Sequence, residues 1–191
     1  MFLMRVPLLA LLAAVIMAGC AQFPVYTQEH EQTNADAFEA QARVYVRFGA
    51  RAFSGTLRWQ HTTGADEVWL GGPIGQTAAH IIRDSSGATL TTADQQTYRA
   101  RSIESLTRDG LGWALPLADL SYYVVDKVPP AADGKQERDA RGMPVRVQHS
   151  GWLVQWQRQE VPSGEATLPR LNLTKDDVEI RLVIDQLGSA D

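Results

Sequence analysis

From Ala42 onward, apolar and polar residues take turns along most of the chain. Ala42, Val44, Val46 and Phe48 alternate with Arg43, Tyr45 and Arg47; Phe53, Leu57 and Trp59 alternate with Ser54, Thr56 and Arg58. A period of two is that of a strand with one face buried. Phe48-Gly49-Ala50-Arg51 is short enough to join these two strands as a hairpin. Further short strands are predicted over Glu67–Leu70, Gln76–Arg83, Ala88–Thr92 and Gln96–Arg99, with turns at Ser85-Ser86-Gly87 and around Ala93-Asp94. Toward the end, Val145 and Val147, then Trp152, Val154 and Trp156, then Leu171 and Leu173, and finally Val178, Ile180, Leu182 and Ile184 repeat the alternation. Lys175-Asp176-Asp177 supplies a turn. Roughly ten strands with short turns predict a mainly β fold, a curved antiparallel sheet or barrel.

Three stretches break the period. Asn34 is a candidate cap for a short helix carrying Ala35, Ala37, Phe38 and Ala40. Ser102 is a second candidate cap, with Glu104 and Ser105 in the first turn. Pro116 opens a third helix to Tyr123, with Leu117, Leu120 and Val124 on one stripe and Val128-Pro129-Pro130 closing it. The segment from Asp133 through Gly142 reads as a polar loop. The pattern is therefore strands, a short helical insert, and strands again.

The amino terminus is of another kind. Arg5 precedes the apolar run Leu8–Ile16, and Met17-Ala18-Gly19-Cys20 follows. The run is shorter than the about 20 residues that span a bilayer and has the layout of an export signal. Met17-Ala18-Gly19-Cys20 resembles a bacterial lipobox, which implies cleavage before Cys20 and covalent N-acyl and S-diacylglycerol groups on that residue. Cys20 is the only cysteine, so a lipidated chain has no thiol left for a disulfide or a metal site. The expected organisation is a signal peptide over 1–19, a lipidated Cys20 and polar tether over 20–34, and one domain over 35–191. Ala21 after the cysteine implies the outer membrane, by analogy with enterobacterial sorting.

Composition narrows the function. The chain has 191 residues and a formal net charge of -4, with no dominant basic patch, so nucleic acid is not an expected partner. His30, His61, His80 and His149 show no metal-ligand spacing, and neither a phosphate-binding loop nor a nucleophile motif is present. Asp66-Glu67 and Asp176-Asp177 are expected in solvated turns. A binding role is thus favoured over catalysis, with no cofactor beyond the lipid.

Gly71-Gly72-Pro73-Ile74-Gly75-Gln76 is the most telling internal segment. Pro73 sets a turn, Gly72 and Gly75 free the backbone, and Ile74 is a large apolar residue at the expected tip. With this segment, Phe53-Ser54-Gly55-Thr56-Leu57-Arg58-Trp59, Leu111-Gly112-Trp113-Ala114-Leu115-Pro116-Leu117, Asp139-Ala140-Arg141-Gly142, Gly151-Trp152-Leu153-Val154 and Val178–Asp185 follow in the order and spacing of the LolB family. The chain resembles that family of outer-membrane lipoprotein receptors from about Arg43 to Leu187. It departs from the family at Tyr122-Tyr123-Val124-Val125-Asp126, where relatives have a Trp and then a Gly, and at Leu187, where a Trp is usual.

The resemblance implies an unclosed antiparallel β-barrel of about ten or eleven strands, with a short α-helical lid over an apolar cavity. It implies a monomeric receptor on the periplasmic face of the outer membrane. Such a receptor accepts client lipoproteins from the soluble carrier LolA and inserts them into the inner leaflet of the outer membrane. Ile74, flanked by Pro73 and Gly75, occupies the position of the family's membrane-inserting Leu. On the concave face, the candidates for contact with acyl chains are Val44, Val46, Phe48, Phe53, Leu57, Trp59, Trp152, Val154 and Trp156. The residues by themselves leave open a lipid-anchored binding protein for another apolar ligand, or a structural subunit of an outer-membrane assembly machine.

Overall fold

A computed structural model describes residues 37–132, 134–158 and 167–190. The signal segment, Cys20, the tether with His30, and Asn34 and Ala35 lie outside the described residues.

Eleven strands form one antiparallel sheet. They are β1 (Ala37–Phe48), β2 (Arg51–Thr62), β3 (Asp66–Gly71), β4 (Thr77–Asp84), β5 (Gly87–Thr92), β6 (Thr97–Ala100), β7 (Gln136–Arg138), β8 (Pro144–His149), β9 (Trp152–Gln157), β10 (Arg170–Lys175) and β11 (Val178–Gly188). The spatial order is β6-β5-β4-β3-β2-β1-β11-β10-β9-β8-β7. The sheet does not close, since β6 and β7 remain its two edges. The sequence runs outward from β1 to one edge, and the chain then returns to the other edge through two helices, α1 (Ile103–Leu111) and α2 (Leu117–Val124). This is the mainly β, unclosed architecture with a helical lid that the sequence pointed to.

β1 corrects the expectation of a helix at Ala37, Phe38 and Ala40. Those residues open the strand, and Ala37 through Phe48 pair along their whole length with β2, from Ala37↔Thr62 to Phe48↔Arg51. Phe38, Ala40, Ala42, Val44 and Val46 are all buried on one face. Alanine favours a helix, but a helix here would leave Trp59–Thr62 of β2 unpaired on that edge. β7 is a second correction. It lies inside the predicted polar loop and pairs with β8 through Gln136↔Val147 and Glu137↔Arg146. All three of its residues are exposed, so no hydrophobic alternation announces it.

Both helices form where the chain's caps direct. The Ser102 side chain accepts a hydrogen bond from the Ser105 amide at 3.3 Å, and Gly112 ends α1 in the left-handed conformation (φ 86°). α2 stops at Val124, ahead of the prolines expected to end it, because Asp126 turns the chain at φ 57°. Between the helices, Thr107 Oγ1 donates to the Ile103 carbonyl and accepts from the Leu115 amide, both at 2.9 Å. That buried bridge fixes the angle at which α2 leaves α1.

The core lies between the concave face of the sheet and the lid. α1 packs over β5 and β6, close enough that a Cβ on Gly110 would stand 2.1 Å from Leu90 Cδ2. α2 is held on the other side. Trp156 Nε1 of β9 donates to the Tyr123 carbonyl at 3.0 Å, and the Tyr123 and Trp156 rings meet edge to face at 5.5 Å. The two helices therefore bridge the flanks of the open sheet, one seated on each.

Candidate functional site: an apolar interior with an exposed loop at its rim

Antiparallel succession brings the β1–β2, β3–β4, β5–β6, β8–β9 and β10–β11 turns to one rim of the sheet. Hydrogen bonds to backbone carbonyls run along that rim. The Gly49 amide donates to the Asp177 carbonyl at 3.4 Å, the Ala93 amide to the Ala78 carbonyl at 3.0 Å, and Lys175 Nζ to the Ser150 carbonyl at 2.7 Å. The carboxyl end of α1 reaches the same rim, where a Cβ on Gly112 would lie 3.5 Å from Phe48 and 2.9 Å from Arg51.

The β3–β4 loop is built from its sequence. The Gly75 amide donates to the Gly72 carbonyl at 3.0 Å, closing a four-residue turn with Pro73 and Ile74 at its centre. Pro73 presets the first central φ. Ile74 is not at positive φ, which excludes a type II turn, and Gly75 then takes φ 84°, a left-handed value that glycine adopts without strain. The Gly72 amide donates to the Gln76 carbonyl at 2.7 Å and closes the base of the loop. The Gln76 side chain lies where a Cβ on Gly72 would be, at 2.3 Å. The result is a firmly folded tip on which Ile74 is 89% exposed. Leaving such a side chain in water forgoes about 1.5–3 kcal/mol.

The nine interior candidates divide into two groups. Val44, Val46, Leu57, Trp59, Trp152, Val154 and Trp156 are buried, in one continuous apolar cluster with Ile103, Leu106, Leu117, Leu120 and Val124 of the lid. Phe48 and Phe53 are only partly buried, against the edge of that cluster at the rim. Val46 pairs with Phe53 and Phe48 with Arg51, whose guanidinium lies 4.6 Å from the Phe48 ring centre. The alternation thus marks the buried face of the sheet, and the tertiary fold leaves Phe48 and Phe53 at its rim.

At the opposite rim the structure overturns the expectation for Asp66 and Glu67. Both are in β3, and Asp66 is only 3% exposed. Its carboxylate accepts from Trp59 Nε1 at 2.8 Å, from His61 Nδ1 at 2.6 Å, and from Arg83 Nε. Burial pushes the Asp66 carboxyl up, and the hydrogen bonds from His61, Trp59 and Arg83 more than offset this, holding it below the usual aspartate range. Glu67 accepts from His80 at 2.8 Å. A signal for the knot was present in the sequence: His61 continues the inward series Leu57, Trp59, and a polar side chain pointing into a core needs a partner.

The lid carries further polar ties. Asp126 pairs with Arg158 at 2.5 Å and Asp119 with His149 at 3.6 Å. Burial pushes the Tyr123 hydroxyl up, with the Asp119 carboxylate adding to it, and among the described residues that buried hydroxyl has no hydrogen-bond partner. Among the described residues no cluster of His, Cys, Asp or Glu is placed to hold a metal ion.

Residues 36–186 match the family described as outer membrane lipoprotein LolB. The chain belongs to the LolB family. An outer-membrane lipoprotein LolB of Nitrosomonas europaea is 34% identical over 185 residues, covering 90% of this chain and 87% of that relative. Those of Thiobacillus denitrificans and an Azoarcus species are each 36% identical, covering 82% and 93% of this chain and 82% and 92% of theirs. This LolB-family chain is accordingly a lipoprotein localisation factor, and its relatives are outer-membrane lipoproteins by name. The match takes in the sheet, the lid and the rim loop together.

Proposed function

We propose that this protein is anchored to the periplasmic face of the outer membrane by acyl groups on Cys20. There it takes lipoproteins from the soluble carrier LolA and inserts them into the inner leaflet. Three features support the reading. The lipobox-like Met17-Ala18-Gly19-Cys20 supplies an anchor, and more than one acyl chain is needed for stable attachment. An apolar interior under two short helices supplies shelter for acyl chains. The observation that carries the proposal is Ile74, held out in solvent on a rigid turn at the rim where the lid ends.

The mechanism follows from relative affinities. Acyl chains cannot cross an aqueous compartment uncovered, because each exposed methylene costs about 0.8 kcal/mol. Acyl chains enter as the helices lift from the sheet. Lifting α2 breaks the Trp156–Tyr123 hydrogen bond and the Asp126–Arg158 and Asp119–His149 pairs, while α1 parts from β5 and β6. Handover needs no nucleotide if the chains are held more tightly here than in the carrier, and more tightly still in the bilayer. Ile74, entering the leaflet, sets the mouth against it and lets the chains pass without meeting water.

Ile74→Glu tests this directly in vesicles with carrier-bound lipoprotein as donor. The variant is expected to strip the carrier of its cargo at the normal rate and to stall before insertion. Unimpaired insertion would remove the loop from the mechanism. Depletion in the native bacterium is expected to leave lipoproteins on the soluble carrier, and unchanged sorting would refute the receptor role.

A further inference from the structure

Behind the Ile74 loop, the convex face of the sheet carries a cleft. The register sets Arg58, Trp69 and His80 side by side across β2, β3 and β4, with Thr56, Gly71 and Thr77 forming the next row toward the rim. At Gly71 the Thr56 side chain takes the place of a side chain, since a Cβ there would stand 2.4 Å from Thr56 Oγ1. The cleft has a volume of about 290 Å³ and is lined by residues that include Gln41, Thr56, Arg58, Trp69, Thr77 and Asp185.

The chemistry of the cleft is amphipathic. Trp69 is half-buried, with the His80 ring stacked on it at 5.2 Å and the Arg58 guanidinium 5.0 Å from its centre. His80 is held by Glu67, and Asp185 is engaged by Arg43 at 2.9 Å. Arg58 is exposed, and among the described residues it has no carboxylate partner. The cleft therefore presents one uncommitted guanidinium beside an indole, with the Thr56 and Thr77 hydroxyls at its rim side. A guanidinium binds phosphate oxygens by two parallel hydrogen bonds, and an indole settles where one side is apolar and the other wet. At about 3.3 Å per residue, Trp69 lies two residues, or about 7 Å, behind the end of β3 at Gly71, at the depth of lipid headgroups when the tip is among acyl chains.

We propose that this cleft holds the phosphate-bearing headgroup of a bilayer phospholipid while Ile74 is buried in the acyl chains beneath it. The proposal rests on the loop's membrane role and adds to it a headgroup site that fixes the protein's tilt. Arg58 takes the phosphate, the two threonines donate to it, and Trp69 lies at the interface. One apolar tip alone sets depth without orientation; a second contact across the convex face aims the mouth at the leaflet.

The test uses the full chain reconstituted into vesicles of phosphatidylethanolamine and phosphatidylglycerol. Ile74→Cys bearing an environment-sensitive dye reports insertion of the tip. Trp69 emission, isolated by subtraction of a Trp69→Phe variant, is quenched by phospholipids bearing a nitroxide either on the headgroup or deep in the chains. Stronger quenching by the headgroup label is expected. Arg58→Gln should lower the ratio of inserted to free tip about fivefold, which is one surface cation's about 1 kcal/mol, and should relieve the headgroup quenching. Arg58→Lys should recover part of both, and Arg99→Gln, on exposed edge strand β6, neither. If the dye reports insertion while Trp69 is untouched by the headgroup label, the cleft assignment falls and the loop's role stands. If the dye stays in water, the loop's role falls and the cleft with it. If inorganic phosphate without vesicles perturbs Trp69 as strongly as vesicles do, the ligand is a soluble anion and the membrane assignment is overturned.

Discussion

At one end of β3 the Asp66 carboxylate is buried among Trp59, His61 and Arg83; at the other, roughly 17 Å away along the strand, Ile74 stands in solvent just beyond Gly71. Each arrangement is unfavourable taken alone. A buried carboxylate is tolerable only when its hydrogen-bonding capacity is met, and three donors meet it here. An exposed isoleucine has no such compensation within the domain. The polar end is thus closed in on itself and serves stability. The apolar end is left uncovered by the described residues, and the proposed entry of Ile74 into a bilayer would supply that cover.

The largest effect is expected at the closed end. Asp66→Ala leaves Trp59 Nε1 buried without its acceptor and Arg83 without its partner, and should cost about 3–5 kcal/mol in a urea titration. A loss below about 1 kcal/mol would show that the knot is not the stabilising element described. Next comes acid sensitivity. Because the Asp66 carboxyl sits below its ordinary value of 3.8, its contribution is fully present above that pH and is lost as pH falls through the lower folded-state value. Urea midpoints across that window should drop more steeply for the natural chain than for Asp66→Asn. An equal slope in the two would assign the acid sensitivity to other carboxylates.

A smaller change is expected in the lid. Tyr123→Phe removes the unpartnered buried hydroxyl and keeps the ring against Trp156, so stability should hold or rise by up to about 1 kcal/mol. Destabilisation by more than that would mean the hydroxyl has a partner in solution. The smallest effect is expected at the open end. Ile74→Glu should leave the unfolding midpoint within about 0.5 kcal/mol of the natural chain. A large loss there would mean that the tip packs on the domain, and the contrast between the two ends of β3 would fail.

Strands that bury one face were legible because their side chains must alternate to meet the core, and β1, β2, β9 and β11 each show it. β7 escaped because an edge strand held only by backbone hydrogen bonds leaves no pattern in its side chains. The start of β1 escaped because alanines suit both periods, and only the twelve-residue pairing with β2 decides between them. Thr62-Thr63-Gly64-Ala65-Asp66-Glu67 reads locally as a polar turn. The partners of the buried Asp66 carboxylate lie on β2 and β4, on either side of its own strand.

Local order alone determined that the chain forms short antiparallel strands, that two helices interrupt them, and that Ile74 caps a tight Gly-Pro turn. Those features depend on neighbours within a few residues, where backbone sterics and side-chain period decide. Tertiary structure alone decided that β6 and β7 stay apart as edges. It also decided that Phe48 and Phe53 are only partly buried at the rim while the seven other candidates are buried, and that Arg58 and Trp69 line one cleft. Each of these depends on which strands lie side by side and in what register, and register is settled by the burial of a whole face at once.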